Sequence, residues 1–178
     1  MQKRGVHPAA VDAFLGAIEK VAQGDQGLWP ESEIEAIQSA PALESLPRKT
    51  GFDAALLKQL AVIKLNGGLG TGMGLDRAKS LLVVKGQDTF LDFIVRQVQR
   101  LRQQTGGDSP DFYFMNSAHT RKDTLDFIEE HYPEFKAGRT IDFVQNVVPK
   151  VKPESLEPIE WPADPELEWC PPGHGDIY

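Results

Sequence analysis

The sequence contains very little cysteine and no long apolar run, and both shortages exclude whole classes of function. Cys170 is the only cysteine among the 178 residues, so an internal disulfide and a four-thiolate zinc site are ruled out. The longest strongly apolar run, Leu81 to Val84, is far shorter than the roughly 20 residues of a membrane-spanning helix. The first residues also lack the apolar segment of a secretory signal. We therefore expect a cytoplasmic protein that does not act at a membrane.

Basic residues are scarce relative to acidic ones. The chain carries 19 Lys and Arg against 26 Asp and Glu, which gives a net charge of −7 and a pI near 5.1. Nucleic acids and anionic membranes are bound by clustered positive charge, so neither is expected as a partner. The length suits one domain with a core of its own. Composition leaves the oligomeric state undecided, and a homo-oligomer stays open.

Residues 1–58 are predicted to form an N-terminal helical segment. Pro8 suits the first position of a helix, and apolar residues recur at helical spacing from Val11 until Gly24. A short amphipathic piece follows Pro30, and a third short helix is predicted just before the next part of the chain.

Residues 59–178 alternate apolar runs with helical patterns, which predicts an α/β domain with a mainly parallel sheet. Three of the runs predict strands that begin at Ala61, Asp111 and Ile141. The intervening helices are predicted to open on capping boxes at Thr89 and Thr120. The first of these helices is expected to bury Phe90, Ile94, Val98 and Leu101.

The last part of the chain has a different composition, rich in proline. Seven of the thirteen prolines lie between Pro149 and Pro172, which predicts an extended, ordered loop or a lid rather than a sheet element. The sequence then ends within a polar, glycine-rich stretch. We therefore expect the α/β domain to be truncated at its C-terminal end.

A glycine cluster directly after the first predicted strand is the densest chemical signal. Five glycines lie within the eight residues from Gly67 to Gly74, and Arg77 and Lys79 follow. Glycine lets backbone N–H groups approach a ligand closely, and successive N–H groups form a nest for phosphate oxygens. The loop favours a phosphate site, with a flexible turn and a solvated lysine as the alternative. The spacing fits neither G-x-G-x-x-G nor G-x-x-x-x-G-K-[ST], so hydride transfer and P-loop hydrolysis lose support.

Five ordered blocks of residues carry a resemblance to one enzyme family. They are Lys64-Leu65-Asn66-Gly67-Gly68-Leu69-Gly70-Thr71 through Met73-Gly74 to Lys79-Ser80, Thr89-Phe90-Leu91-Asp92, Met115-Asn116-Ser117 with Asp123-Thr124, Phe143-Val144-Gln145-Asn146, and Pro171-Pro172-Gly173-His174-Gly175-Asp176-Ile177-Tyr178. They span about two thirds of the chain and closely resemble the UDP-glucose pyrophosphorylase (UTP–glucose-1-phosphate uridylyltransferase) family. The resemblance implies a Rossmann-like nucleotidyltransferase core with an incomplete mixed, mainly parallel sheet. It also implies transfer of a uridylyl group from UTP to glucose 1-phosphate, with Mg²⁺.

The same resemblance assigns site residues. The nucleotide-binding residues would be Leu65, Asn66, Gly67, Gly68, Lys79, Gln145 and Gly173, with His174 at the sugar phosphate. Lys79 would be the catalytic group, because it holds the triphosphate and stabilises developing charge. The metal-binding aspartate and a second lysine of the family lie downstream of this chain, so Asp76 and Asp176 are not taken as metal ligands. We therefore expect residues 1–178 alone to be inactive.

The glycine loop departs from the family pattern at two places. Leu75-Asp76-Arg77-Ala78 stands where the family has Cys-Lys-Gly-Pro, and Gly72 stands where serine is usual. Two other functions stay open. One is a nucleotidyltransferase for another sugar 1-phosphate, such as an N-acetylhexosamine 1-phosphate. The other is a catalytically silent nucleotide-binding module.

Overall fold

The structure is a computed structural model that describes residues 1–47, 54–69, 74, 77–107 and 109–177. The start of the third short helix predicted from the sequence, at Phe52, and the glycine-loop residues 70–73 and 75–76 lie outside these ranges. No helix within the described ranges is long and apolar enough to cross a membrane.

Helices and strands alternate through the second part of the chain, which confirms the α/β fold. In chain order the elements are α1 (Pro8–Ala22), α2 (Ala54–Leu57), β1 (Ala61–Asn66), β2 (Val83–Lys85), β3 (Asp88–Thr89), α3 (Phe90–Thr105), β4 (Asp111–Asn116), α4 (Ala118–His131), α5 (Pro133–Lys136), β5 (Asp142–Val144), β6 (Val148–Pro149) and β7 (Trp169–Cys170). The expected strands at Ala61 and Asp111 are present, and the strand expected from Ile141 is shorter than predicted.

Strands β1, β4 and β5 form a parallel sheet in the order β1-β4-β5. Parallel neighbours need crossover connections, which α3 supplies between β1 and β4, and α4 with α5 between β4 and β5. The register pairs Asn66 with Asn116 and Asn116 with Val144. The carboxyl ends of all three strands therefore lie side by side, at the edge where open α/β sheets bind ligands.

Helix α3 begins at the predicted capping box. The Thr89 side chain accepts from the Asp92 N–H, and the Asp92 carboxylate accepts from the Thr89 N–H. The expected buried face is correct at Val98, which is 5% exposed, and wrong at Phe90, which is 46% exposed, whereas Leu91 and Val95 are fully buried. Phe90, the first residue of the helix, therefore lies at the surface beside the glycine loop.

Helix α4 begins three residues earlier than predicted. Its cap is Ser117, whose hydroxyl accepts from the Thr120 N–H while the Thr120 hydroxyl accepts from the Ser117 N–H. The predicted cap, Thr120, is instead the third residue of the helix. Strand β4 ends at Asn116, so Ser117 is the first residue free to leave the sheet and cap the helix.

The core lies between the sheet and the helices that cross it. Its fully buried members include Leu91, Val95, Phe114, Ile128, Phe135 and Ile141. Phe112 meets Phe114 edge to face, with ring centroids 4.8 Å apart. Burial of each such side chain contributes about 1.5–3 kcal/mol, so this cluster is the main support of the sheet edge.

The N-terminal segment is only partly helical. Helix α1 begins at Pro8 as predicted, and His7 caps it by accepting from the Ala9 N–H. The amphipathic helix predicted after Pro30 is wrong, because that stretch forms a single 3₁₀ turn at Glu31–Glu33 with exposed side chains. Helix nucleation is unfavourable, and a single turn with no buried apolar face lacks the packing that would offset it.

The proline-rich stretch contains a short sheet element that the sequence did not predict. Strands β6 and β7 pair antiparallel, with Val148 opposite Cys170 and Pro149 opposite Trp169. Pro149 is compatible with this position because only two short strands are involved and a missing N–H on an edge is tolerated. The pairing brings the segment after β7 back to the end of β5.

Candidate functional site

A cleft of about 310 Å³ lies at the carboxyl end of β1. Its walls are Lys64, Leu65, Asn66, Gly68, Lys79, Ser80, Phe90, Ile94 and His174. Five of the residues predicted from the sequence thus share one space, although they come from three distant parts of the chain. The cleft wall does not include Gly67, Gln145 or Gly173. Gln145 instead lines a smaller neighbouring pocket with Asn146 and Trp169.

The base of the glycine loop is closed by backbone contacts. The Lys79 N–H donates to the Gly68 carbonyl oxygen at 3.2 Å, and Leu69 pairs with Ala78 in an isolated antiparallel bridge. Ala78 is completely buried, which fixes the returning end of the loop. Lys79 is therefore held next to Gly68, and its exposed side chain lines the cleft.

Arg77 does not join Lys79 in the cleft. It lines a separate surface groove together with Asp123, Asp126 and Glu130. The interpretation that Arg77 and Lys79 flank one phosphate site is therefore not supported, because the two side chains leave the loop towards different surfaces.

Asn66 ends β1 and is part of a buried polar network. Its Nδ2 donates to Asn116 Oδ1 and to Thr124 Oγ1, each at 2.8 Å. Asn116 Nδ2 lies 3.4 Å from an oxygen of Asp142, which in turn accepts from Arg121 at 2.6 Å. The side chain of Asn66 is thus used inside the protein, and a ligand at this position would meet its backbone.

Asn116 and Thr124 were missed as site residues by the sequence analysis. The signal available in the sequence was that the predicted strands β1 and β4 both end in asparagine. Residues paired in register on neighbouring strands place their side chains on the same face of the sheet. The network holds the ends of two strands and the first turns of α4 in a fixed relation, so it positions the floor of the cleft.

Gln145 follows β5 directly and is 7% exposed. Its N–H donates to the Asn116 carbonyl oxygen at 2.9 Å, whereas its Oε1 has no hydrogen-bond partner among the described residues. A Cβ built on Gly67 would lie 2.6 Å from this oxygen. The Gln145 amide is therefore packed against the glycine-loop backbone, with an acceptor left over for a further partner.

Gly173 and His174 lie on the segment that follows β7. Gly173 has a φ of +112°, a conformation that side chains rarely adopt, and His174 opens a 3₁₀ turn with its side chain exposed in the cleft. Asp176 fixes this turn, because its carboxylate accepts from the Asn146 N–H at 2.6 Å and from Asn146 Nδ2 at 2.9 Å.

Among the described residues, those that line the cleft include no carboxylate. Lys79, Lys64 and His174 face it, and Lys64 Nζ donates to the Leu65 carbonyl oxygen at 2.5 Å. Burial lowers the pKa of the Lys64 ammonium group, because removal from water disfavours the charged form. An anion in the cleft would oppose that effect, so the local charge pattern favours a negatively charged ligand.

The described residues do not provide a metal site. No group of three or more His, Cys, Asp or Glu side chains in the described ranges is arranged to hold a metal ion. Both oxygens of Asp176 accept hydrogen bonds from Asn146, and Asp142 is paired with Arg121. The donor set that Mg²⁺ prefers is thus not assembled by this part of the chain.

A parallel α/β sheet with a cationic, glycine-edged cleft at its carboxyl edge is typical of a nucleotide-binding protein. A model of one family, UTP–glucose-1-phosphate uridylyltransferase, matches residues 12–178. The chain belongs to that family, and its fold is that of the nucleotidyltransferases.

Individual relatives agree with the family. The chain is 39% identical over 174 residues to the UTP–glucose-1-phosphate uridylyltransferase of Musa acuminata, covering 93% of this chain and 36% of that protein. It is 43% identical over 123 residues to the Saccharomyces cerevisiae enzyme of the same name, covering 68% and 24%. This chain therefore spans about a third or less of the length of these relatives.

Solved structures show the same relation. A UDP-glucose pyrophosphorylase variant from Leishmania major, crystallised with UDP-glucose, superposes with a TM-score of 0.90 at 42% identity, covering 99% of this chain and 36% of that one. The Trypanosoma brucei UDP-glucose phosphorylase superposes with a TM-score of 0.87 at 42% identity, covering 99% and 38%.

Proposed function

We propose that this chain is the nucleotide-binding part of an enzyme that forms UDP-glucose and pyrophosphate from UTP and glucose 1-phosphate. The observation that carries the proposal is the cleft at the end of β1, where Lys79, Lys64 and His174 face one space, with no carboxylate among the described residues that line it. Such a surface suits the concentrated negative charge of a nucleoside triphosphate. Family membership selects the uridylyl reaction among those that a triphosphate site allows.

The uracil ring is assigned to the backbone of residues 65–68 and to Gln145. The unpaired Oε1 of Gln145 and the amide packing against Gly67 support this assignment. An amide held in one orientation discriminates between base edges, because the wrong base leaves a buried polar group unpaired. Gly173, in a conformation that leaves its backbone accessible, is assigned to the same nucleotide.

The chemical step is a phosphoryl-type substitution. A phosphate oxygen of glucose 1-phosphate forms a bond to the α-phosphorus of UTP, and the bond from that phosphorus to the oxygen bridging the β-phosphate breaks. Pyrophosphate leaves with the bonding electron pair. The Lys79 ammonium group stabilises the charge that develops on the phosphate oxygens, and His174 orients the sugar phosphate.

Three expectations from the sequence remain proposals: a Mg²⁺ ion, a cytoplasmic location and self-association. Mg²⁺ would neutralise phosphate charge, as is usual in such transfers, but no described residue is assigned to it. A cytoplasmic location would be tested by cell fractionation. Self-association would be tested by sedimentation of the purified protein.

The test is a titration of the chain with UTP and with ATP, followed by calorimetry. We expect UTP to bind at least tenfold more tightly than ATP, and Gln145→Leu to remove most of that preference. Lys79→Ala should weaken binding of both nucleotides. Lys85→Ala is the matched control, because Lys85 is an exposed lysine on β2 outside the cleft, and it should leave both affinities unchanged. Equal affinity for UTP and ATP would contradict the uracil assignment.

Turnover separates the remaining alternatives. An enzyme that extends this chain to the length of its relatives should use glucose 1-phosphate in preference to an N-acetylhexosamine 1-phosphate. A protein of that length that binds UTP and turns over neither sugar phosphate would be a silent nucleotide-binding module.

A further inference from the structure

The N-terminal turn contacts the segment that leads to His174. Arg4 ends a 3₁₀ turn at Gln2–Arg4, and its guanidinium donates to both carboxylate oxygens of Glu166, at 3.0 Å and 2.5 Å. The Arg4 Cζ also lies 4.5 Å from the centroid of a Trp169 ring. One side chain thus makes a bidentate ion pair and a cation–π contact with residues more than 160 positions away.

The contacted residues are closely coupled to the cleft. Glu166 lies in the 3₁₀ turn Pro165–Glu168, which runs directly into β7. Trp169 begins β7, whose pairing with β6 is extended by the Lys150 N–H donating to the Glu168 carbonyl oxygen at 2.8 Å. Only four residues lie between Trp169 and His174, so a shift of Trp169 is transmitted along a short stretch of chain.

The His174 segment is held at two ends. Beyond His174, Asp176 is bound to the backbone and side chain of Asn146. Before it, the described structure shows the contacts of Arg4 with Glu166 and Trp169. Between these anchors Pro172, Gly173 and His174 are exposed, so their position depends on how firmly the two ends are fixed.

We propose that Arg4 is a positioning residue that sets the place of His174 in the cleft by clamping Glu166 and Trp169. Exposed ion pairs contribute little on their own, and Glu166 is 63% exposed in its side chain. Bidentate geometry and a stacked aromatic ring add to that contribution. The clamp therefore acts on the local order of residues 169–175 rather than on global stability. The clamp itself is independent of the proposed function, which enters only in what His174 contacts.

The test uses histidine proton resonances and amide exchange of the ligand-free chain. Arg4→Ala should move or broaden the His174 ring signals and speed amide exchange in residues 169–175 by roughly fivefold or more. Glu166→Gln should do the same, and the double variant should add little, because both changes break one clamp. Signals of His131, which stacks on Phe127 in α4, should stay in place and show that the fold is intact.

Lys3→Ala is the matched control, since it removes a positive charge from the same exposed turn. Arg4→Lys keeps the charge but not the bidentate fork, so it should give an intermediate effect. The proposal is overturned if Arg4→Ala leaves the His174 signals unchanged, or if Lys3→Ala changes them as much.

Binding of UDP-glucose then separates the clamp from the function. Altered His174 signals with a several-fold loss of UDP-glucose affinity support the clamp together with the role proposed for His174. Altered signals with unchanged affinity still support the clamp, and they contradict the assignment of His174 to the sugar phosphate.

Discussion

Gly67 and Gly68 are neighbours in the chain but face different constraints. A Cβ on Gly67 would lie 2.6 Å from Gln145 Oε1, whereas nothing lies within 4 Å of a Cβ on Gly68. Neither residue has a positive φ, so backbone strain does not enter. The difference between the two positions is therefore a matter of contact with Gln145 alone.

We expect Gly67→Ala to destabilise the protein by about 1–3 kcal/mol, because the added methyl group must displace a buried amide. Gly68→Ala should change stability by less than about 1 kcal/mol. Urea unfolding of the two variants measures the difference. A loss in Gly68→Ala equal to that in Gly67→Ala would mean that Gln145 moves freely, and that its packing against the loop does not fix the amide.

Lys79 is the single cation that the glycine loop places in the cleft among the described residues. In an enzyme extended to the length of the relatives, Lys79→Ala should lower kcat by a hundredfold or more, or about 3 kcal/mol, as for other charge-stabilising groups. Lys85→Ala serves as the control with the same charge change outside the cleft. Near-normal turnover by a folded Lys79→Ala enzyme would reject the catalytic role.

Asn66 shows where sequence reasoning stops at the residue scale. The resemblance assigned Asn66 to the nucleotide by its place in the motif. In the structure its side chain donates hydrogen bonds to Asn116 and Thr124, which lie 50 and 58 residues away in the sequence. A motif records which residue types recur, but it carries no information on partners brought together by the fold. Asp176 is a second example, since its pairing with Asn146 depends on where β5 and β7 end.

At the scale of elements, local signals predicted what local interactions determine. The capping box of α3 is formed by residues three positions apart, and the sequence identified it correctly. The predicted cap of α4, Thr120, was wrong because two capping-box patterns overlap, one starting at Ser117 and one at Thr120. Strand β4 ends just before Ser117, so Ser117 becomes the cap. The pairing of β6 with β7 joins residues about twenty positions apart across a proline-rich stretch. No periodic pattern of apolar residues in the sequence predicts such a contact.

The α3 cap also predicts a pH dependence. Asp92 is 6% exposed, and burial alone would raise its pKa. Hydrogen bonds from the Tyr132 hydroxyl and from both donor groups of Thr89, with the charge of Arg96, oppose this effect and lower the pKa overall. A lowered native pKa means that the charged carboxylate stabilises the fold above its unfolded pKa of about 3.9. That stability is lost as the pH falls through the native pKa.

We therefore expect Asp92→Asn to cost about 1–3 kcal/mol at neutral pH and progressively less below about pH 4. Urea unfolding of wild type and variant across this range gives the difference. Asp111→Asn is the control, because Asp111 is an exposed carboxylate at the start of β4. A constant difference for Asp92→Asn down to strongly acidic pH would show that its charge is not what the cap uses.

At the scale of the whole molecule, the fold class could be predicted because strand and helix patterns alternate along the sequence. The position of the N-terminal segment in the fold could not be predicted. Its exposed apolar residues, including Leu28, Trp29, Ile34 and Ile37, have no periodic pattern that specifies a partner. Arg4 reaches Glu166 only because the fold brings the two ends of the chain together.

The sheet is also open at both edges in a way that bears on activity. Among the described strands β1 and β5 each have a neighbour on one side only, and Ile63 within β1 is 40% exposed. An unpaired edge next to a site leaves one wall of the cleft unsupported and invites pairing with other chains. The described residues also assemble no metal site.

We therefore expect residues 1–178 alone to show no uridylyl transfer, although we expect them to bind UTP. The measurement is pyrophosphate release from UTP, glucose 1-phosphate and Mg²⁺, with a full-length UDP-glucose pyrophosphorylase as the positive control. In the proposed mechanism Lys79 would neutralise part of the charge on the triphosphate, but the leaving pyrophosphate would need further compensation, and the loss of one such group already costs about 10²–10³ in rate. Turnover within about tenfold of the control, a difference worth only about 1.4 kcal/mol, would place the remaining catalytic groups within this chain.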